Sequence, residues 1–554
     1  AGVFLWAFLL FAVVSVAGLT PWLGQDFFPS VDAGQFKLHL RAHTGMRIEE
    51  TAALCDRVEA TIRQTIPPEE LGDIVDNIGL PTSGINISYS NSSPVGSSDA
   101  DIQVQLSEHH HPTDDYLRQL RRTLAEQYPG VTFYTLPVDM VTQILNFGLS
   151  APLDLEIVGP RGEENHALAT HMLPEISNVP GIVDAHIQQP YNQPLLHVDV
   201  DRTRAGAVGL TQKDVAQSML VALSGSFQTN PTFYVDPKNG VSYNIATQAP
   251  QPSLSSIAAL SAMPISGSGT VAPTASIAGA AQTGAPGAPQ AAQILGNLST
   301  ISPSAETGTI SHYDIQPLID IYANVDGTDL GSTTRALEKI VKAHEKELPR
   351  GSHFTLRGQS ETMAASYKGL LIGLLVSILL VYLLIVVNFQ SWLDPFLIIS
   401  ALPAALAGIV WFLFVTRTRL SVPALTGAIM CMGVATANSI LVVSFARERL
   451  EELVGDARRA AIEAGTTRLR PVLMTALAMI IGMVPMALGL GDGGEQNAPL
   501  GRAVIGGLLM ATIATLFFVP AFFSLIHGRI ERRRHSARTA AAAVTVDEFD
   551  AISE

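Results

Sequence analysis

The sequence predicts a membrane α-helical bundle of six spans, arranged 1 + 5, with a large α+β region inserted after the first span. Three observations carry this prediction. Only 15% of the 554 residues are charged, against about 25% in an ordinary soluble domain. The 34 Lys+Arg and 49 Asp+Glu are excluded from six stretches: 1–25, 369–393, 395–416, 420–446, 471–491 and 503–528. Between the first and second of these, strand-like and helix-like runs alternate. Each charge-free stretch holds the roughly 20 apolar residues that a helix needs to cross a bilayer. This distribution excludes a single globular domain and a disordered chain. With only Cys55 and Cys431, it also excludes a disulfide scaffold.

The first stretch, Gly2 to Leu19, has no basic residues ahead of it and is longer than the apolar core of a signal peptide, so it reads as a membrane anchor. The chain opens on Ala1, and the expectation is that it begins inside a longer protein. Arginine sets the orientation. The linker 446–470 carries Arg447, Arg449, Arg458, Arg459, Arg468 and Arg470, and 528–538 carries five more. The linkers on the other side hold only Arg417, Arg419 and Arg502. The Arg-rich linkers and both termini are therefore expected in the cytoplasm, and 26–368 outside; in a bacterium that is the periplasm.

The outer segment repeats one pattern four times, a short β-rich run, a helix, then another β-rich run. The helices fall at 47–66, 113–128, 164–178 and 331–348, with apolar residues on one face. Leu54, Val58, Ile62 and Ile66 mark the first face, and Leu168, Met172 and Ile176 the third. Units one and two adjoin as a βαββαβ domain within 26–151. Units three and four, 152–190 and 313–359, form a second domain split by an insertion at 191–312. The insertion contains a hairpin turning at Asn239-Gly240 and a Gly/Ala/Ser/Pro/Thr-rich flexible loop at 266–290. Five spans fill 369–528, and 529–554, Ala-rich and acidic over 539–554, reads as a disordered cytoplasmic tail.

Five motifs in this order resemble one family over nearly the whole chain. They are DFFPSVDAGQ (26–35), HVDVDRTRAGAVGLTQKDV (197–215), NFQSWLDPF (388–396), GVATANSILVVSFARER (433–449) and TTRLRPVLMTALAMIIGMVPMAL (466–488). The chain resembles the C-terminal half of a resistance–nodulation–division (RND) permease, nearest the hydrophobe/amphiphile efflux branch. The resemblance implies a secondary transporter built from two repeats of six spans. It implies proton-driven export of amphiphilic or hydrophobic compounds, with no cofactor beyond the proton gradient. The two βαββαβ domains would be porter subdomains and 191–312 a docking domain. The implied partners are the N-terminal half of the permease, further copies in a homotrimer, a periplasmic adaptor, an outer-membrane channel and membrane lipid.

Proton coupling needs an ionisable group in the membrane, and the six charge-free stretches contain no carboxylate. The resemblance places a carboxylate pair in the other half, facing 423–445 here. Many relatives present a Lys directly before an Asn there; this chain has Ala437 before Asn438. The residues expected to attend the proton relay are Thr436, Asn438, Thr475 and Arg468, for which helix–helix hydrogen bonding and a positive-inside anchor are the plainer alternatives. The substrate pocket is expected along the switch-like loop 79–98, at Leu80, Ile85, Ile87 and Tyr89, and on the strand at Leu153 and Leu155. The plainer reading of the alternating leucines is a strand face turned to the core.

Other signals point nowhere so definite. His109-His110-His111 precedes Pro112 in a loop without spaced partners and reads as solvent-exposed, so no metal ligands are assigned. A heavy-metal RND exporter is the alternative; thioether ligands would suit Cu(I), but Met46, Met140, Met172, Met219, Met263 and Met363 form no cluster in sequence. A membrane-anchored periplasmic scaffold is the other alternative. The Gly-rich 489–494 follows a span rather than a strand and lacks GK[ST], so it is not a phosphate loop. No span carries an enzyme-like constellation, and the acidic balance speaks against nucleic acid.

Overall fold

The structure, a computed structural model, describes residues 2–80, 96–229, 231–267, 293–453, 456–491 and 493–532. It divides into two compact units, Tyr191–Gly308 and the rest of the chain.

The larger unit opens with α1 (Gly2–Leu19), an apolar helix with no charge to anchor it in water. The chain leaves the membrane through a tie. Gln25 bridges Leu420 in parallel, the Asp26 amide donates to the Leu420 carbonyl at 2.9 Å, and Arg419 pairs with Asp26 at 2.9 Å. The Tyr367 hydroxyl donates to the carbonyls of Asp26 and Leu420. The segment after the first span is thereby fastened to the loop before the fourth.

A four-stranded antiparallel sheet follows, built from β1 (Gln35–Arg41), β2 (Leu71–Ile78), β3 (Asp99–Leu106) and β4 (Thr132–Leu136), in the order β2-β3-β1-β4. Two helices, α2 (Ile48–Thr65) and α3 (Thr113–Gln127), cover one face. Leu54, Val58 and Ile62 of α2 and Leu120 and Leu124 of α3 close over Leu38, Leu40, Ile102 and Val104. The period-3.6 face of each helix and the period-2 face of each strand thus meet in one core.

The second sheet repeats this connectivity. It contains β5 (Leu153–Val158), β6 (Ile182–Ile187), β7 (Ser311–Tyr313), β8 (Gln316–Val325) and β9 (His353–Gly358). The order is β9-β5-β8-β6, with β7 also pairing β8. Helices α4 (Gly162–Ser177) and α5 (Leu330–His344) pack on one face, where Leu168, Met172, Ile176 and Leu337 join Leu153, Leu155, Ile157 and Ile321. Ser311–Tyr313 belongs to this sheet, so the insertion ends sooner than 312.

Tyr191–Gly308 has a core of its own around Leu210, Val215, Leu260 and Leu295. Its Gln193–Val200 and Ser299–Glu306 strands pair in antiparallel fashion. The strands Thr232–Val235 and Ser242–Ile245 form the expected hairpin, but six residues rather than two turn the chain. Asp236 and Asn239 side chains accept from the backbone two residues on, so the turn is built from Asx bonds. Most of the expected flexible loop, 268–290, and the tail from 533 lie outside the described residues.

Five further helices are long and apolar enough to cross a membrane: α6 (Gln359–Phe389), α7 (Leu393–Val415), α8 (Val422–Glu452), α9 (Ala457–Ala487) and α10 (Gly494–Arg532). Helices α8 and α9 run far past the charge-free stretches. Most of the Arg-rich 446–470 is therefore helix rather than linker, because Arg, Glu and Ala extend a helix readily once it has left lipid. Small residues let α7 and α10 touch: a Cβ on Gly408 would lie 2.3 Å from the Gly506 carbonyl oxygen.

Candidate functional site

In the membrane region, Thr475 on α9 donates to the Asn438 side-chain oxygen on α8 at 3.0 Å. Asn438 is buried, while Thr475 and Ala437 are exposed on the outer face of the bundle. The other two expected residues stand apart from this pair. Thr436 donates to the Met432 carbonyl of its own helix at 2.8 Å. Arg468 lies over the Phe445 ring, 4.8 Å from its centre. Ser439 meets Thr515 at 2.9 Å, within a π-helical turn at Ala514–Phe518 that breaks the regular ladder of α10.

The expected substrate pocket fares differently. Leu80 is exposed, and Ile85, Ile87 and Tyr89 lie outside the described residues. Leu153 and Leu155 are each 1% exposed and sit in the core under α4, so neither lines an open cleft. The apolar alternates of β5 face the helices, and its polar alternates occupy the other face. His109 and His111 are exposed, as expected for that loop, and His111 pairs with Glu70 at 2.6 Å.

That other face is the most highly charged buried place in the described outer region. On the first sheet, His39 is fully buried, with Nδ1 2.6 Å from Asp101 Oδ1. Lys37 pairs with Asp101 at 2.8 Å and Arg41 with Asp99 at 3.0 Å. Arg41 also donates to the carbonyls of Ile187 and Gln188 on the second domain. The Tyr134 ring stacks on His39 at 4.5 Å and on His186 of β6 at 3.6 Å. Burial pushes the His186 imidazole down to about 4, so it is neutral at pH 7.

Asp184 closes the junction of the two domains. Arg121 of α3 binds it through two N–H groups at 2.9 Å each, the Thr135 hydroxyl donates at 2.7 Å, and Asn324 donates at 3.1 Å. Burial alone would raise this carboxyl; the Arg121 charge and the hydrogen bonds outweigh burial and hold it below the usual range. Arg118 and Arg121 also pair with Asp326, at 3.0 and 3.3 Å.

Register extends the seam across the second sheet. His186 faces Tyr322, Tyr322 faces Asp154, and Asp154 faces Arg357; one row down, Asp320 faces Glu156. Directly opposed residues share a face. One oxygen each from Asp154, Glu156 and Asp320 lies within 4.8 Å of the others. Arg357 holds Glu156 at 3.1 Å, and Gln189 donates to Asp320 at 2.7 Å. Burial, then the neighbouring carboxylates, push Asp154 up; burial also pushes Asp320 and Glu156 up.

Sequence reasoning misses this group because charged alternates in a strand ordinarily face water. The available signal is that two strands, LDLEIV and QPLIDIYANV, both carry acids inside apolar runs. Of the outer-segment methionines, Met46, Met172, Met219, Met263 and Met363 pack in or against the hydrophobic cores, and Met140 is exposed.

A profile of the AcrB/AcrD/AcrF family matches residues 2–527. Among similar proteins, the cobalt-zinc-cadmium resistance protein CzcA of Cupriavidus metallidurans is 26% identical over 531 residues, covering 94% of this chain and 47% of the relative. The multidrug resistance protein MdtC of Proteus mirabilis is 33% identical, but over only 42% of this chain and 23% of its own. The crystal structure of a heavy metal efflux pump superposes with a TM-score of 0.76 at 23% identity, covering 95% of this chain and 50% of that one. The chain spans about half the length of the relatives that it matches along nearly its full extent. These matches overturn the expectation of an amphiphile exporter, since relatives aligned along 94% of the chain are named for cation efflux and for cobalt-zinc-cadmium resistance, and the superposed structure is of a heavy metal efflux pump. The expected affiliation itself holds: six apolar helices, a sheet-rich outer region and a match across 2–527 make this chain a member of the AcrB/AcrD/AcrF family of RND permeases.

Proposed function

We propose that this chain is the second half of an inner-membrane RND exporter of metal cations, driven by the proton gradient. The observation that carries the substrate is the set of relatives that match the chain almost end to end and bear names for cation resistance. The buried carboxylates of the second outer sheet add weight, since three of their oxygens lie within 4.8 Å of one another and carboxylates suit hard and borderline cations.

In this reading 26–368 faces the periplasm, while the α8–α9 connection and the C-terminal tail face the cytoplasm. The chain assembles as a trimer with an adaptor and an outer channel. The Asn438–Thr475 pair opens on the outer face of the bundle, where the other half of the permease would present its carboxylates. Ala437 supplies no cation there, so these two hydrogen-bonding groups carry this chain's share of the coupling.

The test is cellular accumulation of Zn2+, Co2+ and Cd2+ with and without the full gene, and with and without a protonophore. Lower accumulation that the protonophore reverses supports the reading. Equal accumulation with and without the gene refutes metal export, and protonophore-insensitive efflux refutes the coupling.

A further inference from the structure

The geometry points to a divalent-cation site on the buried face of the second sheet, formed by Asp154, Glu156 and Asp320. This inference deepens the metal-export reading and rests on it for the role of the ion as cargo. The site itself stands on its own chemistry.

Proximity is the first part of the case. Three carboxylate oxygens from two adjacent strands lie within 4.8 Å of one another. Three oxygens bound evenly to one ion at about 2.1 Å lie about 3.6 Å apart. From separations of at most 4.8 Å, each oxygen closes on such an ion by moving about 0.7 Å or less, within the reach of side-chain torsions. The strands fix the rest: Glu156 and Asp320 are directly opposed, and Asp154 lies two residues along the same face.

A second observation, separate from proximity, asks for a ligand. Asp154 is 1% exposed, and neither of its carboxylate oxygens accepts a hydrogen bond among the described residues. Glu156 Oε2 is likewise buried and without a donor. A buried carboxylate ordinarily finds donors or a cation. Asp184, in the same seam, shows what satisfaction looks like here, with Arg121, Thr135 and Asn324 all donating to it. Asp154 has nothing comparable, and one of its carboxylate oxygens lies within 4.8 Å of an oxygen of each of the other two acids.

Charge selects the class of ion. Among the described residues, the one cation bound to the trio is Arg357, which pairs with Glu156 and lies over the Tyr313 ring at 4.3 Å. With all three acids ionised, the cluster carries two uncompensated negative charges, which a divalent ion cancels and a monovalent one does not. Donor type narrows it further. Carboxylates suit hard and borderline ions such as Zn2+, Co2+ and Mn2+, whereas Cu(I) and Ag(I) prefer sulfur. Arg357 is one-third exposed on its side chain, and Glu156 next to it is buried. The guanidinium therefore stands between the trio and water and would swing aside on loading.

The experiment measures Zn2+ and Ag+ binding to the purified full-length protein by equilibrium dialysis, alongside Asp154→Asn and Asp320→Asn. Both variants remove a charge while keeping size, and size-exclusion profiles establish that they fold. The expected result is that each folded variant binds one fewer Zn2+ per chain, or binds it about 100-fold more weakly, with Ag+ binding unchanged. If one variant fails to fold, the other carries the same test. Zn2+ binding equal in number and affinity to wild type in a folded variant overturns the site, as does loss confined to Ag+. Cellular efflux separates this from the broader reading. Metal export with unaltered Zn2+ binding in the variants removes the site and leaves the export reading. Loss of Zn2+ binding in a protein that exports no metal keeps the site and removes its role as cargo loader.

Discussion

Replacing Arg121 with Ala is the most direct test of how the two outer domains are held together. The side chain supplies two of the hydrogen bonds to Asp184 and also reaches Asp326 at 3.3 Å. Removing one partner of a fully buried ion pair costs about 3–5 kcal/mol. Arg121 keeps 23% of its side chain exposed, so water would enter the space it leaves, and Thr135 and Asn324 would still donate. We therefore expect a loss of about 2 kcal/mol, roughly a 30-fold increase in local opening. The reporter is the Thr135 amide, which itself donates to Asp184 at 3.2 Å. Its hydrogen exchange in the full-length protein should accelerate by about that factor at pH 7. The sign of the pH dependence follows from the lowered Asp184 pKa. A carboxylate with a depressed folded pKa stabilises fully above its unfolded value of about 3.9 and loses that contribution as pH falls through the folded value. The thermal midpoints of wild type and Arg121→Ala should therefore converge at the acid end. Unchanged Thr135 exchange, or a gap that widens as the pH falls, would refute the reasoning.

Three other perturbations test the membrane half. Thr475→Val removes the donor to Asn438, at a cost of about 1 kcal/mol; yield in membranes should hold while transport falls, and unchanged transport would make the bond a simple helix tether. Gly408→Ala forces a Cβ to within 2.3 Å of the Gly506 carbonyl oxygen; at about 1–3 kcal/mol for overpacking, detergent-solubilised protein should unfold at a lower temperature. Asp394→Ala strips the buried acid that Arg447 meets at 3.3 Å and His527 at 3.4 Å. Because Arg447 is two-fifths exposed, the expected loss is nearer about 1–2 kcal/mol than the figure for a fully buried pair, read as a lower unfolding temperature.

The membrane spans were legible because lipid excludes charge, and that exclusion is written residue by residue. The outer helices were legible for a similar reason: Leu54, Val58 and Ile62 announce a face at a period that only a helix has. Asn438 and Thr475 could be singled out by resemblance, and the structure does join them, whereas Thr436 and Arg468 take partners on their own helix or on a neighbouring ring. What could not be read was which face of a strand meets what. Leu153 and Asp154 alternate in LDLEIV as they would in any half-buried strand, yet every residue of that strand is buried. The second layer of cover is a tertiary fact, and periodicity within one strand carries no information about it.

The distribution of charge gives this a functional shape. In the membrane, the described partners of Asn438 and Ser439 are hydroxyls, so little is at stake electrostatically when those contacts change. In the outer seam, buried ions are stacked several deep, and each is costly unless answered. Most of them are answered within the fold, Asp101 by Lys37 inside the first domain and Asp184 by Arg121 across the two domains. Among the described residues, the row at Asp154 sets three acids against one bound cation, Arg357. Carboxylate oxygens without donors, placed among satisfied neighbours, mark where an entering divalent ion gains most.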